Sequence, residues 1–250
     1  MMSTSGGTLD LEGLKRDAAR AALTEVHSGM TLGLGTGSTM RHFLEALGEA
    51  LQDGGLSAIR GVPTSRDTED RARALNIPLV ELHEVEGLDL AVDGADEVDP
   101  QLDLIKGLGG ALVREKMVVQ AARRFIVLAD STKAVGRLGE KAPLPVEVIS
   151  FGWASHLPVL RALGGTPVLR RMGGSEAGEV YCTDNGNHIL DVWFPDGISD
   201  PGQLQQILQA RAGILDTGLF LQMADRCYLA EGSTIRVLDR PTSPVTGDEA

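Results

Sequence analysis

Cysteine and histidine are scarce in this chain, and their scarcity removes whole classes of chemistry. Cys182 and Cys227 are the only two cysteines among 250 residues, and they stand far apart with no CxxC spacing. Neither a disulfide framework nor a thiolate metal site is indicated, so both read as small buried hydrophobes. The five histidines, His27, His42, His83, His156 and His188, are scattered without a pair at metal-ligand spacing. No apolar run nears the roughly 18 residues of a membrane span. Basic charge is also short: 23 Lys and Arg against 35 Asp and Glu leave a net charge of −12. That balance disfavours nucleic acid and anionic membrane surfaces as partners. Residues 1–13 are polar and acidic and lack the basic start and apolar middle of a secretion signal, so the expected location is the cytoplasm. There is no internal repeat and no low-complexity segment.

What is present is a rhythm of short apolar strands and amphipathic helices. Leu11, Leu14, Ala18, Ala21, Ala22 and Val26 share one helical face. A strand over 31–34 runs into Gly35-Thr36-Gly37-Ser38-Thr39, and a helix follows over 40–51. Strands over 58–62, 77–82, 88–92 and 125–129 alternate with helices over 67–76 and 113–123. Such alternation implies a mainly parallel sheet with helices on both faces. After Lys133 the pattern changes, and Pro143 and Pro145 mark a boundary. A strand over 145–149, a helix over 154–163 and a strand over 167–171 come next. Strands over 180–183 and 188–194 flank Asp184-Asn185-Gly186-Asn187, a hairpin signal, and a helix spans 201–210. Segments 217–223, 227–230 and 234–238 are expected to return to the first sheet. The reading is an α/β unit formed by 1–142 and 215–250, interrupted by a smaller α+β unit over 143–214. Residues 1–7 are expected to fray, and 240–250 to form a loose tail.

Chemistry concentrates between Leu90 and Lys116. The apolar strand ends in Asp93-Gly94-Ala95-Asp96, so two carboxylates leave one strand end. Lys106 and the glycines Gly107, Gly109 and Gly110 follow in a loop, and Glu115 falls in the first turns of a helix. Ligands in open α/β sheets sit beyond the carboxyl ends of the strands, where this arrangement aims acids and a lysine. Each residue alone has a plainer role. The aspartates could cap a turn, Thr39 could cap its helix, Lys15 could be a solvated helix residue, and Glu115 could pair on a surface with Arg114 or Lys116. The glycine-rich segment at 35–39 offers backbone N–H groups and hydroxyls at a helix start, which suit a phosphate. It is no P-loop, since no Gly-Lys-Ser/Thr follows, and the strand over 58–62 ends in Pro63-Thr64-Ser65-Arg66 where a dinucleotide site wants an acid. A monophosphate fits better.

The stretch resembles the signature of the A-type ribose-5-phosphate isomerases. Val92-Asp93-Gly94-Ala95-Asp96-Glu97, Lys106-Gly107 and Arg114-Glu115-Lys116 carry that resemblance. So do Gly33 to Thr39, Pro63-Thr64-Ser65, Ser131-Thr132-Lys133, Pro143 to Val148 and Thr183 to Asn187, in the family's order from about Leu14 to Tyr228. Leu108 interrupts the family's glycine run. The resemblance implies a Rossmann-like α/β domain with a smaller lid-like domain, a sugar-phosphate substrate, no cofactor, and a homodimer or homotetramer.

An aldose–ketose isomerisation moves one proton between neighbouring carbons and one between their oxygens. A metal-assisted hydride shift would need carboxylate and histidine clusters that the sequence lacks. Proton transfer through an enediolate needs a carboxylate base, a second acid or base, and a cation or N–H donors. Chemistry and resemblance together cast Glu115 as the base and Asp93 as the group handling hydroxyl protons and ring opening. Asp96 would fix a sugar hydroxyl, and Lys106 with the Gly107 to Gly110 amides would stabilise the enediolate oxygen. Lys15, Thr36, Gly37, Ser38 and Thr39 would hold the 5-phosphate, and the resemblance places Lys133 near the sugar. Two other classes stay open: a phosphosugar sensor without catalysis, and a deaminase or lactonase on a related fold. A sensor would carry a basic helix-turn-helix, and a deaminase or lactonase a histidine in the reacting centre.

Overall fold

The computed structural model describes residues 10–175 and 177–241. The expected fraying at 1–7 lies outside the described residues, as does the tail from 242 onward. In chain order the elements are α1 (Leu11–Leu23), β1 (Thr31–Leu34), α2 (Ser38–Gln52), β2 (Arg60–Pro63), α3 (Arg66–Ala74), β3 (Leu90–Gly94), β4 (Glu97–Val98), β5 (Leu104–Ile105), α4 (Leu112–Gln120) and β6 (Phe125–Asp130). Then come β7 (Leu144–Val148), α5 (Leu157–Ala162), β8 (Thr166–Leu169), β9 (His188–Trp193), α6 (Pro201–Gln209), β10 (Ile214–Thr217), β11 (Leu219–Phe220), β12 (Arg226–Glu231) and β13 (Thr234–Asp239).

The main sheet has six strands in the order β13-β12-β6-β3-β1-β2. All neighbours run parallel except the edge pair β12–β13. One face carries Leu32, Leu34, Leu90, Val92, Ile126 and Leu128, which pack against Ala19 and Ala22 of α1 and Met40, Phe43, Leu44 and Leu47 of α2. Those four α2 positions recur at the helical period, and all are at most 1% exposed. At about 1.5–3 kcal/mol per large apolar side chain, this burial is what holds α2 against the strand ends. The other face, with Ala91, Val127, Ala129 and Leu229, is covered by Val119 of α4 and by Leu104 and Phe220.

A second sheet of four antiparallel strands, β10-β7-β9-β8, packs Val146, Leu190 and Val192 against Leu160 of α5 and Leu204 and Leu208 of α6. A third, three-stranded sheet, β11-β5-β4, lies beside the carboxyl end of β3.

Several expectations are corrected. Residues 77–82 form no strand: only Leu79 bridges Gly61, because Pro78 has no N–H and the chain then enters a helical turn over Leu82–Glu84. Residues 180–183 contribute a single bridge, Val180 to Arg171, although the turn closes through Thr183 N–H to Asn187 O at 2.9 Å. The segment 217–223 does not join the main sheet. Thr217 ends β10, which pairs with β7, and Leu219–Phe220 pairs with β5. The expected boundary at 215 therefore runs through a strand of the second sheet. Cys182 is exposed, whereas Cys227 is buried. Arg240 is anchored, donating to Ala224 O at 2.7 Å and Leu102 O at 2.9 Å.

Candidate active site

β1 and β3 lie side by side, with Leu34 opposite Val92, so the glycine-rich turn after β1 meets Asp93 near the end of β3. Gly35 makes this possible. A Cβ there would fall 2.1 Å from the Asp93 carboxyl, so only glycine lets the two strand ends approach. Asp93 Oδ1 then accepts the N–H of Thr36 at 3.0 Å and of Gly94 at 2.7 Å.

Lys106 reaches the same point from the end of β5. Its Nζ lies 2.8 Å from Asp93 Oδ2 and 3.3 Å from Glu115 Oε2, and it donates to Gly94 O at 2.7 Å. The three side chains are each at most 4% exposed. One ammonium thus faces two carboxylates in a dry setting, with the Phe220 ring 5.4 Å from the cation. Burial pushes the Glu115 carboxyl up to about 8, against the pull of Lys106 and with help from the negative charges of Asp93 and Asp96. Burial also raises Asp93, opposed by Lys106 and the two amides. Lys106 is opposed by its own burial, but Asp93 and Glu115 outweigh it and hold the ammonium above the usual lysine range. The cation is therefore fixed, and the carboxylates compete for it. A buried Glu115 contradicts the plainer reading of an exposed glutamate.

In front of this trio is a cleft with about 200 Å³ of space, lined by Lys15, Thr36, Gly37, Ser38, Thr39, Asp96, Lys106, Gly107, Gly109, Glu115 and Lys133. Asp130 and Thr132 also line it, though they were not singled out from the sequence. Their signal was the Ser131-Thr132-Lys133 motif directly after the apolar run of β6. At one end of the cleft the first turn of α2 carries no acidic residue and no side-chain cap. Among the described residues no side chain caps its N–H groups, an arrangement suited to an anion. Lys15 sits nearby, paired with Glu12 at 2.7 Å.

Three of the expected site residues are engaged by other parts of the protein. Asp93 does not line the cleft, and its Oδ2 is buried behind Lys106. Its carboxylate meets the cleft through residues that line it, Lys106 on Oδ2 and the amides of Thr36 and Gly94 on Oδ1. Thr36 lines the cleft, but its amide is given to Asp93 and its hydroxyl contacts Thr64 and Ser65 at 2.8 Å. It supports Asp93, while Gly37, Ser38, Thr39 and Lys15 line the same end of the cleft. Gly110 does not line the cleft: its N–H closes a turn onto Gly107 O at 3.0 Å, and a Cβ there would strike the Tyr181 hydroxyl at 2.0 Å. Leu108 is tolerated in the glycine run because the left-handed positions are Gly107 and Gly110, while Leu108 turns out to solvent at 40% exposure. Its N–H is held by Asp96 Oδ2 at 2.9 Å.

The second sheet grips this machinery from outside. Arg114, beside Glu115 on α4, donates to Asn185 Oδ1 at 2.8 Å and to Asp184 O at 3.2 Å. Lys116, buried on the same helix, donates to Asp216 Oδ1 and Thr217 O, each at 2.7 Å. Beneath the turn, Glu147 accepts from Thr183, Asn185 and Asn187 at 2.9–3.2 Å. Glu97 in turn fixes the connection between the sheets by accepting the N–H groups of Gly139, Lys141 and Ala142. Among the described residues no group of three or more His, Cys, Asp or Glu is placed to hold a metal ion, and no helix is long and apolar enough to cross a membrane.

The comparisons agree with one another. Residues 60–234 match the model of the ribose 5-phosphate isomerase A (phosphoriboisomerase A) family. The ribose-5-phosphate isomerase A of Deinococcus radiodurans is 47% identical over 232 residues, covering 93% of this chain and 100% of the relative. That of a Roseiflexus species is 49% identical over 229 residues, covering 92% and 97%. Among solved structures, a D-ribose-5-phosphate isomerase in complex with phospho-erythronic acid superposes with a TM-score of 0.89 at 40% identity, over 93% of this chain and 100% of that one. The ribose 5-phosphate isomerase of Plasmodium falciparum gives 0.88 at 36% identity, over the same shares. With nearly whole-length matches in sequence and in fold, the chain belongs to the ribose-5-phosphate isomerase A family.

Proposed function

We propose that this protein interconverts D-ribose 5-phosphate and D-ribulose 5-phosphate by proton transfer through an enediolate. The observation that carries the reading is the buried trio of Lys106, Asp93 and Glu115 at the back of a cleft whose far end is a bare helix N-terminus. A phosphate seated on the α2 amides, with Ser38, Thr39 and Lys15 around it, would present the sugar's carbonyl end to the trio. Remote anchoring of this kind aligns the reacting carbons. The net charge of −12 repels such a substrate at long range, so Lys15, Lys106, Lys133 and the amides must prevail locally.

In this reading Glu115 takes the proton from C2 and returns it at C1. A carboxyl raised to about 8 is a stronger base than an ordinary glutamate and keeps roughly a tenth of its ionised form at pH 7, which suits general base work. The Lys106 ammonium and the Gly107 and Gly109 amides face the oxygen where negative charge grows. Asp93 holds that ammonium in place and charged. Asp96, on the cleft wall, is left to exchange the hydroxyl proton, and Lys133 to contact the sugar. A relative's complex with phospho-erythronic acid supports a phosphorylated sugar chain as the ligand class. No step requires a cofactor, the cytoplasm is the expected location, and a homodimer or homotetramer is the expected assembly.

The test is conversion of ribose 5-phosphate by chelator-treated protein beside Glu115→Gln. Activity that survives chelation and falls by on the order of 10³-fold in the variant is expected. Activity restored only by a divalent metal would overturn the proton-transfer route. No conversion by the unaltered protein would move the assignment to a phosphosugar sensor, or to a deaminase or lactonase.

A further inference from the structure

We propose that Arg170, which belongs to the second sheet and does not line the cleft, is a positioning residue that aims the Gly109 amide at the developing enediolate oxygen. The inference rests on the isomerase reading above. Arg170 follows β8, and its Nη1 donates to both Gly107 O and Leu108 O at 3.0 Å. Its other edge is held by Asp191 of β9, with Nε to Oδ2 at 2.8 Å and Nη2 to Oδ1 at 2.5 Å. The guanidinium also lies over the Tyr181 ring at 5.7 Å, and Tyr181 packs on Gly110. Its side chain is only 11% exposed. A planar fork pinned on one side by a carboxylate presents its remaining donors in a fixed direction.

The direction matters because peptide groups are rigid. No cis bond occurs among the described residues, so the C=O and N–H of each loop peptide point opposite ways. Arg170 draws the Gly107 carbonyl outward, and the N–H of that same peptide, on Leu108, points inward to Asp96 at 2.9 Å. It draws the Leu108 carbonyl outward as well, which turns the Gly109 N–H inward. Gly109 lines the cleft, with Thr36 across from it. One side chain thereby orients two successive peptides, the first securing Asp96 and the second supplying an N–H donor. With glycines on both sides of Leu108, the loop has little stiffness of its own. Without the fork, the Leu108–Gly109 peptide is free to rotate, and a preorganised donor becomes one that must be ordered during each turnover.

The experiment compares the full-length enzyme with Arg170→Met, Arg170→Lys and Asp191→Asn. It measures kcat and KM for ribose 5-phosphate, inhibition by phospho-erythronic acid and by inorganic phosphate, and amide hydrogen exchange over 104–111. In Arg170→Met, kcat is expected to fall about 10- to 100-fold, toward the cost of losing one oxyanion donor, with KM within about threefold. Inhibition by phospho-erythronic acid, whose planar anionic end would meet the Gly109 amide, weakens by a similar factor, while inorganic phosphate binds unchanged. Arg170→Lys and Asp191→Asn are expected to lie between, since each keeps part of the fork. Equal weakening of both inhibitors, or a raised KM with kcat unchanged, would show general damage and overturn the proposal. If the unaltered protein does not isomerise the sugar, the functional reading fails by itself. Hydrogen exchange then decides the clamp: faster exchange confined to 104–111 in Arg170→Met upholds it, and unchanged exchange refutes it.

Discussion

Replacing Glu115 by glutamine should make the protein more stable than the original at alkaline pH, and the gain should vanish in acid. Glu115 has an ordinary value of 4.5 and is pushed to about 8 by burial. Below 4.5 the carboxyl is protonated whether the chain is folded or not, and its contribution to stability is fully present. Between 4.5 and 8 the unfolded chain releases a proton that the folded protein keeps, so stability is progressively lost as pH rises; above 8 the loss is complete. At ~1.4 kcal/mol per tenfold change in proton activity, the ceiling is about 5 kcal/mol. Asp93 competes for the same ammonium, and a real interior relaxes around charge, so about 2–4 kcal/mol is the working magnitude. Glutamine is nearly isosteric with the protonated acid and does not titrate. Urea denaturation followed by circular dichroism at pH 5 and pH 9 measures the effect: the two proteins should be close at pH 5 and separate by that amount at pH 9. Parallel curves of stability against pH would refute the claim that Glu115 carries a proton in the folded site.

The same group sets the rate. Below about 8, kcat/KM should rise roughly tenfold per pH unit and then level off, because only the ionised base accepts a proton; a flat profile from pH 6 to 9 would count against Glu115. Lys106→Met leaves two buried carboxylates without their cation and should cost about 3–5 kcal/mol by denaturant titration, with the deficit shrinking as pH falls and one of them takes up a proton. Gly35→Ala puts a methyl group 2.1 Å from the Asp93 carboxyl; a melting point lowered by the equivalent of about 1–3 kcal/mol and a fall in kcat are expected, and wild-type values in both would contradict the close approach. Glu147→Leu strands the Asn185 and Asn187 amides and the Thr183 hydroxyl; it should cost about 2–4 kcal/mol, and unchanged stability would show that water already satisfies that turn.

Much of the centre was legible because it is local in sequence. The apolar run before Asp93 and the glycine run after Lys106 announce a strand end and a tight loop, and they sit where the fold places them. Periodicity found α1 and α2 for the same reason, since a buried face repeats at a period that neighbours in the chain reveal, and β6 was legible as an unbroken apolar run, buried at every position. The errors fall where distant segments decide. Residues 77–82 are apolar enough for a strand, but Pro78 removes a donor and the segment meets only Gly61. Thr217 to Met223 reads as continuous, yet its two halves pair with β7 and β5, because Gly218 N–H is claimed by Pro145 O at 2.7 Å. No pattern around Asp93 told that its carboxylate would sit behind Lys106. That depends on β5 approaching from the side, a contact made only once the third sheet forms. Arg170 escaped notice altogether, being more than 60 residues from the carbonyls it holds.

The helix that bears Glu115 is tied to the second sheet on both flanks, through Arg114 to the turn at 184–185 and through Lys116 to Asp216 and Thr217. Lys116 is 3% exposed, so separating the sheets would break its buried ion pair with Asp216 and its hydrogen bond to Thr217 O. The position of this sheet and the position of the helix bearing Glu115 are therefore coupled through Arg114 and Lys116. The parallel sheet expressed by itself would retain the strand order but lose the partners of α4, and the intact chain should unfold in a single cooperative transition rather than sheet by sheet.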